Sequence, residues 1–335
     1  MGTVYLQEQG AKISRQGRRL LVSKEDQPLL SIPVHRLQRL VIIGRIQLTA
    51  SALALLLDRG VSVVLLTTRG QVRGTLLPPD CPRGELRRRQ YALAGEPAGT
   101  LLFCRELVRA KAVSAANVIR RYAYNHRNSE LTKASEDILQ TAARVDEQPT
   151  VDAVRGIEGL LGRTYFQALV EIFHSLEMDF GGRVRRPPAD PVNACLSYVY
   201  MLLTALSHNA LQATHLDPYC GIMHASIRNA PALTFDFVEQ FRQPIADRFV
   251  MLLFNKKILQ KADFQVGKGQ PAPVLLSDAA RKRLISEWEV YLHTPQRLIE
   301  KREPLSPFSL IFEQAEELEK SIQTGRTYRF YRLCL

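Results

Sequence analysis

The pattern of apolar residues changes at Pro78-Pro79, and this change restricts the possible folds strongly. Before it, short runs rich in β-branched residues, such as Val41-Ile42-Ile43 and Val61 to Thr67, alternate with glycines and polar turns. Such runs are typical of β-strands. One helix is expected among them, from Thr49 to Asp58, because a capping residue opens an apolar stretch that stops before Gly60.

After Pro79, apolar residues recur at helical spacing and strand signals are rare. We therefore predict an α+β multidomain protein, with a small N-terminal β-rich domain followed by a larger all-α C-terminal domain. The predicted parts are a β-rich domain at 1–78, a basic Pro/Arg linker at 79–95, a helical domain at 96–326 and a tail at 327–335. The predicted helices are Leu101 to Tyr124, Asp137 to Val145, Val151 to Leu176, Pro191 to Leu211, Ala232 to Asn255, Ser277 to Leu292 and Ser306 to Ser321.

Several classes of protein have no support in the sequence. There is no phosphate-binding GxxxxGK[ST] loop, no GxGxxG opening a helix, no GxSxG and no HExxH. The five cysteines include no CxxC pair, which argues against a zinc ribbon and against a disulfide framework and favours a cytoplasmic location. No apolar run approaches the roughly 20 residues that span a bilayer, so we expect no membrane partner.

The charge is positive and unevenly distributed. The chain carries 45 Lys and Arg against 33 Asp and Glu, a net charge of +12. Between Arg83 and Arg127, basic residues greatly outnumber acidic ones. This segment is either a solvated helix face or a surface that binds phosphates, because arginine forks match phosphate oxygens.

Three clusters carry residues that bind hard metal ions. Glu158 lies at the edge of an apolar helix face and could equally form an ion pair with a neighbouring arginine. His224 follows a loop with Asp-Pro and Gly, where a histidine is also commonly a buried core residue. Asp236 and Glu239 share one face of a helix at a spacing of three residues, where like charges repel unless a cation lies between them.

Two or three carboxylates with one imidazole suit Mg²⁺ or Mn²⁺. Such an ion neutralises charge at a phosphorus centre, and with the basic segment this indicates metal-dependent chemistry on nucleic acid. Sequence spacing alone does not establish that the three clusters meet.

At these residues the chain resembles the universal CRISPR-associated adaptation integrases, also called the CRISPR-associated endonucleases of spacer acquisition. The resemblance covers about residues 3–328. Its motifs are Arg155-Gly156-Ile157-Glu158-Gly159 with Tyr165-Phe166; Arg186-Pro187-Pro188 with Asp190 to Ala194; Leu216-Asp217-Pro218-Tyr219 with Gly221 and His224; and Asp236 to Arg242 with Pro244 and Asp247.

The resemblance implies an enzyme that joins the 3′-hydroxyl ends of short DNA duplexes to a repeat array by transesterification. It places the metal ligands at Glu158, His224 and Glu239, with Asp236 as a supporting acid. It also implies a homodimer that works with a small ferredoxin-like adaptation protein, and a β-rich domain used for dimerisation or docking. We expect DNA contacts from Arg83, Arg87, Arg88, Arg89, Arg163, Arg186 and Arg242.

Two other functions stay open at this point. A general metal-dependent nuclease acting on branched DNA could use the same residues with water as the nucleophile. A non-catalytic nucleic-acid scaffold would explain the charge but not the complete set of candidate ligands.

Overall fold

The computed structural model describes residues 2–67, 72–78, 83–184, 187–224, 230–298 and 303–333. The chain divides into two units. One comprises Met1–Arg87 with Asn209–Leu216, and the other comprises Arg88–His208 with Asp217–Leu335.

The first unit is built on two four-stranded sheets. Its strands are β1 (Gly2–Leu6), β2 (Lys12–Gln16), β3 (Arg19–Lys24), β4 (Gln27–Pro33), β5 (Leu37–Ile43), β6 (Gln47–Leu48), β7 (Ser62–Leu66) and β8 (Val72–Leu76). One sheet has the order β1-β5-β7-β8, with only β8 antiparallel to its neighbour, and the other has the order β4-β3-β2-β6. The predicted β-rich region is confirmed.

The helix expected in this region is α1 (Ala50–Asp58). It begins where predicted, because the Thr49 side chain accepts a hydrogen bond from the Ala52 backbone N–H at 3.3 Å. α1 buries Leu56 in a core with Ile13 and Leu40 from the strands, and none of these three side chains is exposed. Burial of this apolar surface stabilises the unit.

Beyond β8 the described chain is mostly helical, as the sequence predicts. The helices are α2 (Arg83–Gly95), α3 (Pro97–His126), α4 (Ser129–Ala143), α5 (Val151–Ser175), α6 (Pro191–Gln212), α7 (Ala232–Val238), α8 (Arg248–Asn255), α9 (Asp278–His293) and α10 (Pro307–Thr324), and a short hairpin joins β9 (Phe264–Val266) to β10 (Val274–Leu276). Helices α3, α4 and α5 pack against one another in the second unit. No helix among the described residues is long and apolar enough to cross a membrane.

Two regions differ from the expected elements. Residues 83–95, assigned to a linker from the sequence, contain α2. The single helix predicted from Ala232 to Asn255 is broken: a 3₁₀ turn (Glu239–Phe241) and a π-helical turn (Arg242–Asp247) separate α7 from α8. Pro244 lies within this break and has no N–H to donate to an α-helical hydrogen bond.

Candidate metal and catalytic site

The broken helix and two long helices of the second unit bring the candidate residues together. Lys111 is on α3, Glu158 is on α5, and Glu239 is the first residue of the 3₁₀ turn. α5 buries Ile157 and Leu161 on its apolar face, so Glu158 emerges at the edge of that face with 24% of its side chain exposed. Glu239 is almost completely buried, at 7% side-chain exposure.

Asp236 holds His224 in one orientation. The Asp236 carboxylate has no exposed surface and accepts hydrogen bonds from the backbone N–H groups of Ile222, Met223 and His224 at 2.6, 3.0 and 2.9 Å. The His224 Nδ1–H also donates to it, at 2.6 Å. This hydrogen bond is the main reason that the pKa of His224 is raised. With Nδ1 engaged, the other ring nitrogen, Nε2, is the one left to bind a ligand.

Lys111 bridges the two glutamates. Its ammonium group donates to Glu158 Oε1 and, at 2.5 Å, to Glu239 Oε2. Arg242 adds a second positive charge, with its Nη1 3.0 Å from Glu239 Oε1. Burial by itself raises the pKa of Glu239, but Lys111 and then Arg242 outweigh burial and lower it to about 2. Glu239 is therefore ionised at neutral pH.

These contacts show that the two glutamates surround a positively charged group. Two carboxylates converge on the Lys111 ammonium group, and the buried Asp236 separately orients the His224 imidazole. Among the described residues, no group of three or more His, Cys, Asp or Glu side chains is already arranged around one metal position. The donor types suit Mg²⁺ or Mn²⁺, and Lys111 now supplies the positive charge between the carboxylates.

A buried network lies beside the site, on the π-helical turn. Asp247 accepts hydrogen bonds from the Tyr165 and Tyr200 hydroxyls at 2.8 and 2.7 Å. Burial raises the pKa of Asp247 to about 6, against the opposing effect of the two tyrosines. The guanidinium of Arg242 lies over the Tyr200 ring, 5.2 Å from its centre, so the network also packs against the partner of Glu239.

The residues expected to contact DNA are in different surroundings. Arg87, Arg88 and Arg89 are exposed on α2, and Arg163 is exposed on α5. Arg242, by contrast, lies within the candidate site and pairs with Glu239. Arg186 lies outside the described residues, as does the side chain of Arg83.

The main residue that the sequence did not single out is Lys111. It is one of ten basic residues between Arg83 and Arg127, and its sequence context assigns it no role in a metal site. Its local sequence, Ala110-Lys111-Ala112-Val113, carries a weak signal: a lysine in an otherwise small and apolar stretch of helix. Its two partners are 47 and 128 residues away in sequence, so only the fold reveals them.

Comparison with known proteins places the chain in a family. The family model for CRISPR associated protein Cas1 matches residues 4–290. A CRISPR-associated endonuclease Cas1 of Thermus thermophilus is 32% identical over 98% of this chain and 99% of its own length, and one of Chlorobaculum tepidum is 30% identical over 86% and 85%.

Solved structures show the same fold. A casposase bound to integration product has a TM-score of 0.81 at 21% identity and covers the whole of both chains. A partial Cas6-RT-Cas1–Cas2 complex has a TM-score of 0.73 at 19% identity, over 99% of this chain and 98% of that one. The family match covers most of the sequence, and the chain belongs to the CRISPR-associated Cas1 family.

Proposed function

We propose that Glu158, His224 and Glu239 form the divalent-metal site of a Cas1 DNA endonuclease and integrase, with Asp236 as a positioning residue. The observation that carries this proposal is the pair of glutamates that converge on one cation, Lys111. The Asp236–His224 hydrogen bond supports it, because a carboxylate that holds one imidazole nitrogen is typical of histidines that bind metals through the other.

Cas1 nucleases are generally metal-dependent, and we propose Mg²⁺ or Mn²⁺ here. A bound divalent ion supplies charge neutralisation at a phosphate and makes its phosphorus easier to attack. Glu158 and Glu239 would hold it through carboxylate oxygens, and His224 through Nε2. Lys111 and Arg242 keep Glu239 ionised before the ion binds.

The proposed reaction is direct transesterification. The 3′-hydroxyl of an incoming DNA end attacks a phosphodiester in the target. A new P–O bond forms as the bond to the target's own 3′-oxygen breaks, and the proton of the attacking hydroxyl is released while the leaving oxygen gains one. Position and charge stabilisation by the protein supply the acceleration.

A covalent protein–DNA intermediate has little support. Tyr165 and Tyr200, in the network beside the site, both donate to Asp247. Burial and the Asp247 charge raise the pKa of each phenol well above its usual range. A tyrosine nucleophile needs a phenol whose pKa is lowered and whose hydroxyl is accessible.

A donor duplex that ends in a 3′-dideoxynucleotide tests this chemistry. We expect it to bind but not to join a supercoiled plasmid that carries a repeat array, since it lacks the attacking hydroxyl. The same duplex with a 3′-hydroxyl is the control. Joining of the blocked donor, or a protein–DNA adduct that survives SDS, would exclude the mechanism, whereas cutting of branched DNA without any joining would favour the general nuclease.

For the DNA interface, we propose the exposed arginines of α2 (Arg87, Arg88 and Arg89) and Arg163. A further basic groove of about 270 Å³ lies between α3 and α8, where Arg121, Arg248 and Lys256 contribute to a lining that contains no acidic residue. Such surfaces neutralise phosphates without reading sequence. Their substrates here would be the double-stranded prespacer and the CRISPR repeat.

The proposed protein partners are a second copy of this chain and a small ferredoxin-like adaptation protein of the Cas2 type. Strand β4 is at the edge of its sheet, and its side chains Leu29 and Leu30 are 52% and 47% exposed. Exposed apolar residues on an edge strand favour pairing with another chain. We therefore assign 1–78 to dimerisation or docking and 96–326 to catalysis, in a cytoplasmic protein whose Cys104 and Cys195 are free and buried thiols.

A further inference from the structure

The segment 327–333 is irregular in secondary structure but packed like a core element. Tyr328, Phe330 and Tyr331 are each 4% exposed, and Leu333 is completely buried. The Phe330 ring packs edge-on against Phe103 of α3, with ring centres 4.8 Å apart. The segment is therefore part of the second unit's core.

One end of this segment is fixed to α3 just beyond Lys111. The Leu333 backbone N–H donates to Ser114 Oγ at 3.0 Å, and Asn117 Nδ2 donates to the Leu333 carbonyl at 2.6 Å. Ser114 follows Lys111 by three residues, about one helical turn. Arg332 adds an ion pair with Glu106 on the same helix, at 3.0 Å.

The middle of the segment is fixed to the turn that carries Glu239, through Gln240. Gln240 is completely buried, and its Oε1 accepts a hydrogen bond from the Tyr331 backbone N–H at 2.7 Å. The Tyr328 hydroxyl lies 3.2 Å from the same oxygen and shares its proton with Gln314 Oε1 at 2.8 Å. Gln240 Nε2 donates to the Phe237 carbonyl at 3.0 Å, back into α7. The Tyr331 ring stacks on Phe241, which follows Gln240 in the sequence as Glu239 precedes it.

We propose that the 327–333 segment positions the catalytic turn and that Gln240 is the positioning residue through which it acts. The segment joins the two elements whose residues form the Lys111–Glu239 contact, α3 and the 3₁₀ turn. Neither Gln240 nor the segment touches DNA or a metal ion in this role. The inference rests on the proposed metal site, since Glu239 is one of its ligands.

The test compares the full-length wild type with three variants by hydrogen exchange without metal and by Mn²⁺ binding. Gln240→Met removes the acceptor at nearly constant volume. Tyr328→Phe is a milder change that removes the hydroxyl shared between Gln240 and Gln314. Tyr122→Phe is the matched control: it makes the same Tyr-to-Phe change at a buried position on α3 and loses a hydrogen bond with Ser175 Oγ at 2.6 Å, away from the 327–333 segment and Gln240.

We expect Gln240→Met to speed amide exchange in residues 236–242 and to weaken Mn²⁺ binding by about tenfold or more, the usual cost of losing support behind a metal ligand. Tyr328→Phe should show smaller changes of the same sign, and also decides the matter if Gln240→Met does not fold. Tyr122→Phe should match wild type in both measurements.

Unchanged exchange at 236–242 in both Gln240→Met and Tyr328→Phe would overturn the proposal. So would faster exchange there with unaltered Mn²⁺ affinity. If the wild type binds no Mn²⁺, the proposed metal site fails, and hydrogen exchange then decides by itself whether the segment holds the turn.

Discussion

At the scale of single residues, Lys111 supplies the positive charge that lies between the two glutamates of the site. Its contacts with Glu158 and Glu239 place one ammonium between two carboxylates, in surroundings where its own side chain is 18% exposed. A buried carboxylate that loses its partner is strongly destabilising. A divalent ion between the same oxygens can replace the lost positive charge.

Lys111→Met should therefore destabilise the metal-free protein by about 3 kcal/mol, as expected when one partner of a buried ion pair is removed. Mg²⁺ or Mn²⁺ should restore more stability to this variant than it adds to wild type, because it no longer competes with the ammonium. Urea unfolding with and without the ion measures both effects. Lys133→Met, at an exposed position on α4, is the control. If both variants lose the same stability, or gain the same stability from the ion, this role of Lys111 is contradicted.

Asp247 predicts a dependence of stability on pH. Burial raises its pKa to about 6 in the folded protein, so the folded state binds this proton more tightly than the unfolded state does. Stability from this group is fully present below the unfolded pKa and is lost as the pH rises through the folded value. Glu239 has the opposite sign: its lowered pKa of about 2 means that stability is lost only as the pH falls below its ordinary value.

Asp247→Asn should remove the loss of stability that accompanies ionisation of Asp247 as the pH rises. Relative to wild type, the variant should gain about 3 kcal/mol between about pH 3.5 and about pH 7, since each pKa unit corresponds to about 1.4 kcal/mol. Urea unfolding across this range measures the difference. A constant difference between the two proteins over the range would show that Asp247 does not titrate there.

At the level of secondary structure, the sequence predicted the regular elements well. α1 begins at its Thr49 cap, and α5 at Val151–Ser175 matches the helix expected from Val151 to Leu176. The break between α7 and α8 was not predicted, because its apolar residues Phe237, Phe241 and Ile245 keep a helical spacing through it. Only the packed structure shows that Glu239 begins a 3₁₀ turn there.

The candidate site was predicted in part, and for a physical reason. Acidic residues and a histidine in apolar surroundings are visible locally, which is how Glu158, His224, Asp236 and Glu239 were found. The contact of Glu158 and Glu239 with Lys111 depends on long-range packing, and no local pattern encodes it. Whether these residues bind metal stays a prediction.

The exposed arginines of helix α2 lead to a prediction about DNA binding. Replacing Arg87, Arg88 and Arg89 together with Ala should weaken DNA binding and reduce the slope of log K against log salt by about 0.9 for each lost phosphate contact. The control removes three exposed basic residues on other helices or turns, Lys133, Arg144 and Lys320. An unaltered slope in the α2 variant would indicate that this helix presents only a solvated face.

For the whole molecule, we propose that affinity for DNA and chemistry on DNA belong to different residues. The net charge of +12 favours binding to any polyanion, and exposed arginines on α2 and α5 carry part of it. Glu158, Glu239 and Asp236 are negative and recessed, so they oppose a phosphate unless a cation lies between. Binding and strand transfer should therefore be separable by mutation.

Strand transfer by Glu158→Ala, His224→Ala and Glu239→Ala is the most direct test of this separation. With a labelled duplex and a supercoiled repeat plasmid, in Mg²⁺ or Mn²⁺, we expect each variant to form no joined product while binding the duplex nearly as well as wild type. Asp236→Ala should retain some activity if it only orients His224, and Glu136→Ala, at an exposed position on α4, should behave like wild type. Wild-type rates of joining from all three ligand variants would contradict the assignment of the metal site.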